Sequence, residues 1–194
     1  MKKVVFNLPD ADISYFPKFY AEDKATKVFN QLLKETPWQQ DKITVFGKTH
    51  LQPRLTALYA DNEKTYSYSN ITMHPKPFSP LLKELKTDIE KQCNDAFSTV
   101  LLNLYRHGKD SNGWHSDDEK ELGKNPAIAS LSFGEERWFH LKHKFRPELK
   151  TKIILQHGSL LVMKGTTQHF WKHQISKTSR EVNPRINLTF RLIK

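Results

Sequence analysis

Cysteine is nearly absent from this chain. Cys93 stands alone among 194 residues, so no internal disulfide can form and a reducing compartment is expected. Long apolar runs are missing too. The first residues, Met1-Lys-Lys-Val-Val-Phe-Asn-Leu-Pro-Asp10, start basic, but their apolar run is three residues long. That is too short for the core of a signal peptide. No stretch approaches the roughly 20 apolar residues of a membrane-crossing helix. There is no internal repeat and no low-complexity segment. These absences point to an intracellular soluble protein without a membrane partner, cytoplasmic, or nuclear in a eukaryote. A monomer is expected.

Positive charge, by contrast, is plentiful. Lys and Arg total 31 against 21 Asp and Glu, a formal net charge of +10. Such an excess favours a polyanionic partner, either nucleic acid or an anionic membrane surface. The length suits one domain with a sizeable core.

Two helices are legible. Ala25, Val28, Phe29, Leu32 and Leu33 recur at helical spacing and Pro37 stops the run, which predicts a helix over residues 22–35. Ser79-Pro80 joins a capping residue to a proline at the first helical position and starts a second helix. Its Leu82, Leu85, Ile89 and Cys93 share one side. Between the helices, residues 42–46 and 54–59 flank a segment with Gly47 and Pro53, a pattern that predicts a hairpin.

After Phe97 the pattern turns to short strands, at residues 98–106, 127–133, 137–143, 152–156, 159–163, 171–175 and 185–193. Seven short strands without helices between them suggest an antiparallel sandwich or jelly roll. The fold class is therefore mainly β with some α.

The chemistry concentrates in His115-Ser116-Asp117 and, far downstream, His173. Residues i and i+2 of an extended strand face the same way, so His115 and Asp117 present an imidazole and a carboxylate to one point. A neighbouring strand must bring the third ligand. His173 is the first candidate and His169 competes with it. Two imidazoles and one carboxylate hold non-haem Fe(II) on one face and leave positions open. Zinc accepts the same donors, although no His-Glu-x-x-His helix of a zinc protease is present.

Residues 185–193 alternate. Arg185, Asn187, Thr189 and Arg191 share one face, and Ile186, Leu188, Phe190 and Leu192 the other. Buried guanidinium groups require anionic partners. Two arginines six residues apart suit the two ends of a small diacid, because guanidinium pairs with carboxylate in bidentate fashion. Asn103 and Tyr105, alternate residues of the strand before His115, are placed to add polar contacts.

In sequence order the informative segments are Val45-Phe-Gly-Lys48, Pro53-Arg54, Tyr59-Ala-Asp61, Tyr66-Ser-Tyr68, Pro75-Lys-Pro77 and Asn103-Leu-Tyr105. They continue with His115-Ser-Asp-Asp-Glu119, Ile128-Ala-Ser-Leu-Ser-Phe-Gly134, His157-Gly-Ser-Leu-Leu161, His173 and Arg185-Ile-Asn-Leu-Thr-Phe-Arg191. Over residues 42–194 this set resembles the AlkB-type Fe(II)/2-oxoglutarate dioxygenases, most closely their DNA-repair branch.

The resemblance implies a double-stranded β-helix core at 98–194. It also implies an N-terminal part, 1–97, of helices and a β-hairpin nucleotide-recognition lid, the whole forming one compact catalytic domain. Fe(II) would be held by His115, Asp117 and His173. The co-substrate 2-oxoglutarate would meet Asn103, Tyr105, Arg185, Asn187, Thr189 and Arg191, with Arg185 at its distal carboxylate and Arg191 nearer the metal. O2 is the oxidant. Val45, Phe46 and Gly47 would form a tip that probes the duplex, and Arg54 would contact nucleic acid. Tyr66 and Tyr68 would line a flipped-base pocket, with Asp118 and Glu119 touching the damaged base. The implied activity is oxidative demethylation of 1-methyladenine and 3-methylcytosine in DNA, with release of formaldehyde and succinate. The same chemistry on RNA or methylated protein stays open, as does a non-catalytic basic nucleic-acid-binding module.

Overall fold

The computed structural model describes residues 2–45, 47–61, 66–68 and 71–193, with the side chains of residues 44–46 and 62–73 outside that description. The chain begins with β1 (Val4–Phe6) and β2 (Asp12–Phe16), followed by α1 (Glu22–Glu35). Next come β3 (Lys42–Val45), β4 (Lys48–Leu51), β5 (Leu55–Ala60), β6 (Tyr66–Tyr68), β7 (Ile71–Met73), β8 (Lys76–Pro77) and α2 (Pro80–Cys93). The second half holds β9 (Thr99–Tyr105), β10 (Asn112–His115), β11 (Ile128–Gly134), β12 (Arg137–His143), β13 (Lys150–Leu155) and β14 (Ser159–Lys164). A short α3 (Thr167–Phe170), β15 (Trp171–Ile175) and β16 (Arg185–Arg191) complete it. The protein is mainly β with few helices.

Both long helices start and stop where their sequence directs. Ser79 Oγ accepts a hydrogen bond from the Leu82 amide at 3.2 Å, and Pro80 occupies the first turn. Asn94 ends α2 in the left-handed conformation, φ 53°, which asparagine tolerates better than most residues. Helix α1 runs over the predicted span and presents Ala25, Val28 and Leu32 to the core.

Two sheets organise the remainder. The larger has the order β1-β2-β14-β11-β16-β9-β5-β8 and the smaller β10-β15-β12-β13. The larger sheet is covered on both faces, so its central strands β9 and β16 are buried at every position. Alternate residues divide between the two sides. Leu102, Leu104, Ile186, Leu188 and Phe190 pack with Leu82, Leu85 and Ile89 of α2 and with Val28 and Leu32 of α1. On the other side Leu101, Tyr105, Leu161 and Met163 meet Phe139, Leu141, Ile153 and Ile175 of the smaller sheet. Each such side chain removed from water contributes about 1.5–3 kcal/mol.

Three expectations change. The segments 42–46 and 54–59 do not pair as one hairpin. β3 pairs with β4, while β5 runs antiparallel to β9 inside the larger sheet. Five of the six β5 residues are buried, and such an apolar run is stabilised in a two-sided sheet rather than in an exposed ribbon. The N-terminal region also contributes strands, β1 and β2, with β2 paired to β14. Because β2, β5 and β8 all join the larger sheet, residue 97 does not divide it. Among the described residues no helix is long and apolar enough to cross a membrane.

Candidate metal and co-substrate site

β10 is the edge strand of the smaller sheet, and its last residue, His115, lies directly opposite His173 of β15. Their rings sit 4.2 Å apart between centroids, inclined at 66°. The chain leaves β10 at Ser116, whose Oγ donates to the Trp171 carbonyl at 2.9 Å. That bond turns Asp117 back under the two imidazoles, and His173 Nε2 lies 3.6 Å from Asp117 Oδ2. One donor atom from each of His115, Asp117 and His173 falls within 4.8 Å of the others. His169 is not part of this group. Its Nε2 bonds Asn125 at 2.9 Å near the surface.

The surroundings set each ligand in its binding form. His115 Nδ1 lies 2.7 Å from the Gly113 carbonyl. The proton therefore belongs on Nδ1, and Nε2 keeps its lone pair, a common outer-shell arrangement for a metal-binding histidine. Burial pushes both imidazoles toward the neutral form. His173 falls to about 3, through burial first and the neighbouring His115 second, and His115 is lowered chiefly by burial. Burial alone would raise the Asp117 carboxyl. The guanidinium of Arg191 overcomes that and holds it below the usual carboxylate range. Arg191 donates to Asp117 Oδ1 at 2.6 Å. At neutral pH the site thus offers two neutral imidazoles and a carboxylate, the protonation state that metal binding requires.

The cavity beside these ligands is walled by β9 and β16. Asn103, Tyr105, Arg185, Asn187, Thr189 and Arg191 line it together with all three ligands. Arg191 occupies the metal end. Arg185, at the other end of β16, lies over the Tyr105 ring at 5.2 Å and donates to Ser132 Oγ at 2.9 Å. It is 1% exposed, and its Nε and second terminal nitrogen have no hydrogen-bond partner among the described residues. Burial brings its pKa down to about 10, so it remains a cation at neutral pH. Two unused donors on a buried cation are costly unless an anion takes them. A carboxylate of a small diacid fits that need, and the ligand set fits Fe(II).

A family model described as the 2OG-Fe(II) oxygenase superfamily matches residues 12–191. Alpha-ketoglutarate-dependent dioxygenase alkB homolog 3 of Homo sapiens is 43% identical over 190 residues, covering 93% of this chain and 66% of that protein. Its Bos taurus counterpart is 46% identical over 186 residues, covering 91% and 64%. DNA oxidative demethylase ALKBH2 of Homo sapiens is 37% identical over 192 residues, covering 94% and 73%. The chain belongs to the AlkB-type 2OG-Fe(II) oxygenases. It spans about two thirds of the length of the alkB homolog 3 proteins it matches. The structure of OsALKBH1 superposes with a TM-score of 0.71 at 15% identity, over 97% of this chain and 100% of that one.

Within this AlkB-type chain the residues expected on the substrate side fall in different settings. Asp118 is half exposed, and its Oδ2 accepts from Lys144 Nζ at 2.9 Å. Glu119 follows it, half-buried. Gly47 sits in the turn between β3 and β4 with φ 75°, a left-handed conformation suited to glycine. The side chains of Val45, Phe46, Tyr66 and Tyr68 lie outside the described residues. Arg54 departs from its expected surface contact. It is buried, and its Nε donates to Asn103 Oδ1 at 2.8 Å while a terminal nitrogen donates to the Ser111 carbonyl at 3.2 Å. It supports the cavity wall from within the fold. A sequence gives an arginine's charge but not whether another residue will absorb it.

Asn187 and Thr189 line the cavity but spend part of their capacity on the fold. Asn187 Nδ2 donates to Ser130 Oγ at 2.7 Å and to the Leu131 carbonyl at 2.9 Å, and Thr189 donates to Asn187 Oδ1 at 3.0 Å. Two contributors went unread in the sequence. Gln168 is fully buried, and its Oε1 accepts the Asp117 amide at 2.9 Å. Phe139 stacks on the His173 ring at 5.0 Å. A polar residue within the short α3 carries no periodic signal, and an aromatic on a strand gives no sign of which ring it will stack against.

Proposed function

We propose that this protein demethylates N-alkylated bases of nucleic acid by oxidation, coupled to conversion of 2-oxoglutarate to succinate and carbon dioxide. 1-Methyladenine and 3-methylcytosine in DNA are the substrates, and direct reversal of alkylation damage is the outcome. The observation that carries the reading is the single cavity that joins His115, Asp117 and His173 to Arg185, a buried cation with donors to spare.

Fe(II) held by His115, Asp117 and His173 supplies the O2 chemistry, with 2-oxoglutarate as the source of two electrons. The chain's own residues bind and orient. Arg185 receives the distal carboxylate of 2-oxoglutarate, while Arg191 keeps Asp117 ionised. Asn103, itself oriented by Arg54, and Tyr105 shape the walls between them. The two facing sheets, read as a double-stranded β-helix, keep bulk water from the interior.

The damaged base must leave its stack before its N-methyl group reaches the metal, and methylation that blocks pairing lowers that cost. The segment preceding α2, with the β3–β4 and β6–β7 hairpins, serves as the lid over the extruded base, and Tyr66 and Tyr68 stack on it. N1-methyladenine and N3-methylcytosine are cations, so Asp118 and Glu119, next to the metal motif, are suited to hold them. Insertion of one oxygen atom into a methyl C–H bond gives an N-hydroxymethyl group. Its hydroxyl proton leaves, the C–N bond breaks, and formaldehyde and the unmodified base separate.

Formaldehyde release is the test, from oligonucleotides carrying either lesion, as single-stranded DNA, duplex DNA and RNA, with Fe(II), 2-oxoglutarate and ascorbate. Release that requires both Fe(II) and 2-oxoglutarate supports the reading and ranks the substrates. Slow turnover of 2-oxoglutarate without release from any of them would transfer the chemistry to another methylated substrate.

A further inference from the structure

The outer face of the smaller sheet carries an unusual row of like charges. Lys142 of β12 is the direct cross-strand partner of Lys150 on β13 and of Lys172 on β15. Three lysines therefore occupy directly opposed positions across three adjacent strands. The next row pairs His140 with Lys152 and Gln174. Strand alternation puts His140 and the four lysines outward, since Phe139, Leu141, Ile153 and His173 between them are buried. The four strands of this sheet contain no Asp or Glu. None of Lys142, Lys150, Lys152 and Lys172 forms an ion pair among the described residues. Like charges directly opposite destabilise a sheet, so this row costs the fold and calls for an external anion.

Two exposed indoles share the face. Trp114 of β10 is 38% exposed with Lys142 Nζ 4.4 Å above its ring. Trp138 of β12 is 43% exposed with Lys152 Nζ 4.4 Å above its ring. Cationic side chains interleaved with flat aromatic surfaces suit one class of polyanion, single-stranded nucleic acid, whose phosphates take the charges while its bases stack. A carboxylate polymer would use the lysines and leave the indoles idle. At the Trp138 end the face borders a groove in which Glu135, Glu136 and Glu181 meet Lys177 and Arg180.

This face is joined to the cavity by one strand. Trp114 and His115 are neighbours on the edge strand β10, the first turned outward and the second inward to the metal triad. A strand leaving the cavity mouth need cross only that edge to reach Trp114 and then the lysine row. We infer that the outer face of the smaller sheet is a second, sequence-independent contact for single-stranded nucleic acid, tracking the strand beyond the damaged nucleotide. The inference rests on the nucleic-acid reading of the cavity for its purpose, but binding at this face needs neither metal nor lesion.

The test is equilibrium binding, by fluorescence anisotropy without metal, of unmodified oligothymidylates of about 16 and about 4 nucleotides. The proteins compared are the native chain, the double variant Lys142→Glu/Lys152→Glu, and Lys142→Gln/Lys152→Gln, which removes the charge without reversing it. Both variants are expected to weaken the longer oligonucleotide about tenfold and to reduce its log K against log salt slope by about 1 to 2. The shorter one, and kcat on a short methylated substrate, should be unchanged. Quenching of tryptophan emission by the longer oligonucleotide should accompany binding. Equal weakening of both lengths, no weakening, or competition by polyglutamate as effective as by oligothymidylate would each overturn the inference. Loss of demethylation with intact length-dependent binding would instead overturn the function proposed for the cavity and leave this surface standing.

Discussion

Arg191 and Asp117 are 74 positions apart in sequence and meet at 2.6 Å inside the protein, one guanidinium nitrogen against one carboxylate oxygen. Both are almost wholly buried. The same carboxylate faces His173 through its other oxygen. The strand β16 wall of the cavity and the candidate metal-binding group therefore share an ion pair, and neither can be altered alone.

Removal of one member of that pair should be costly. Arg191→Met leaves the Asp117 carboxylate buried without its guanidinium, a change worth about 3–5 kcal/mol of stability in comparable buried pairs. Chemical denaturation should register the loss. Mn(II) titration, with Mn(II) standing in for Fe(II), should show weaker metal binding as well. A variant as stable as the native protein would contradict the burial described for this pair.

Arg185 lies at the other end of β16, and its substitution should act on the co-substrate rather than the metal. Arg185→Ala is expected to raise the KM for 2-oxoglutarate on the order of 100-fold, within the range for truncation of a buried charge partner. Metal affinity without co-substrate should change little. An unaltered KM would remove Arg185 from the receptor.

Gln168 offers a test of positioning. Its carboxamide oxygen accepts the Asp117 amide, so Gln168→Leu leaves that buried N–H without a partner. Outer-shell losses of this kind cost about 10–100-fold in metal affinity. Isothermal titration with Mn(II) would detect the change, and Gln168→Glu, which retains the acceptor, should recover part of it.

Asp110 supplies a pH signature away from the metal. Burial would raise its carboxyl, but three hydrogen bonds from the Arg106 amide and guanidinium hold it below its ordinary value. A depressed carboxylate contributes stability above its unfolded pKa, about 3.9, and loses it as pH falls through the folded value. Asp110→Asn should therefore cost about 1–2 kcal/mol at neutral pH. The gap from the native protein should stay constant down to about pH 5 and close at lower pH. Urea melts across that range would follow it, and a gap that widened in acid would reverse the assigned sign.

Cys93 can report on opening of the α2 region. It is buried, and burial pushes its thiol up to about 11. The native protein should react slowly with iodoacetamide at pH 8, at a rate that rises with urea in step with unfolding. Fast labelling without denaturant would mean that the α2 end frays independently of the sheet.

The site was more legible than its frame. Alternation in residues 185–191 divides the strand correctly into a cavity face and a helix-packed face, because side-chain direction on a strand depends only on parity. The Ser79-Pro80 start and the periodic span of α1 are likewise local signals. Strand partners are not local. Nothing within residues 55–60 distinguishes pairing with residues 42–46 from pairing with β9, and the choice rests on a two-sided burial that only the assembled sheet provides. The strand β2 carries a burial pattern too short to stand out, and its partner β14 lies about 150 positions away. The resemblance assigns Arg54 to nucleic acid, whereas in the fold its side chain is taken up by Asn103 and the Ser111 carbonyl, partners 49 and 57 positions away that no local signal announces.

That β2–β14 pairing has a consequence for synthesis. Strand β2 emerges from the ribosome long before β14 exists, yet it is bonded to β14 along five residues, Asp12 to Phe16. The larger sheet cannot close on this side until β14 has been translated. Until then the edge of β2 that faces β14 stays unpaired, and the delay between the two strands exposes the nascent chain to misassociation along that edge.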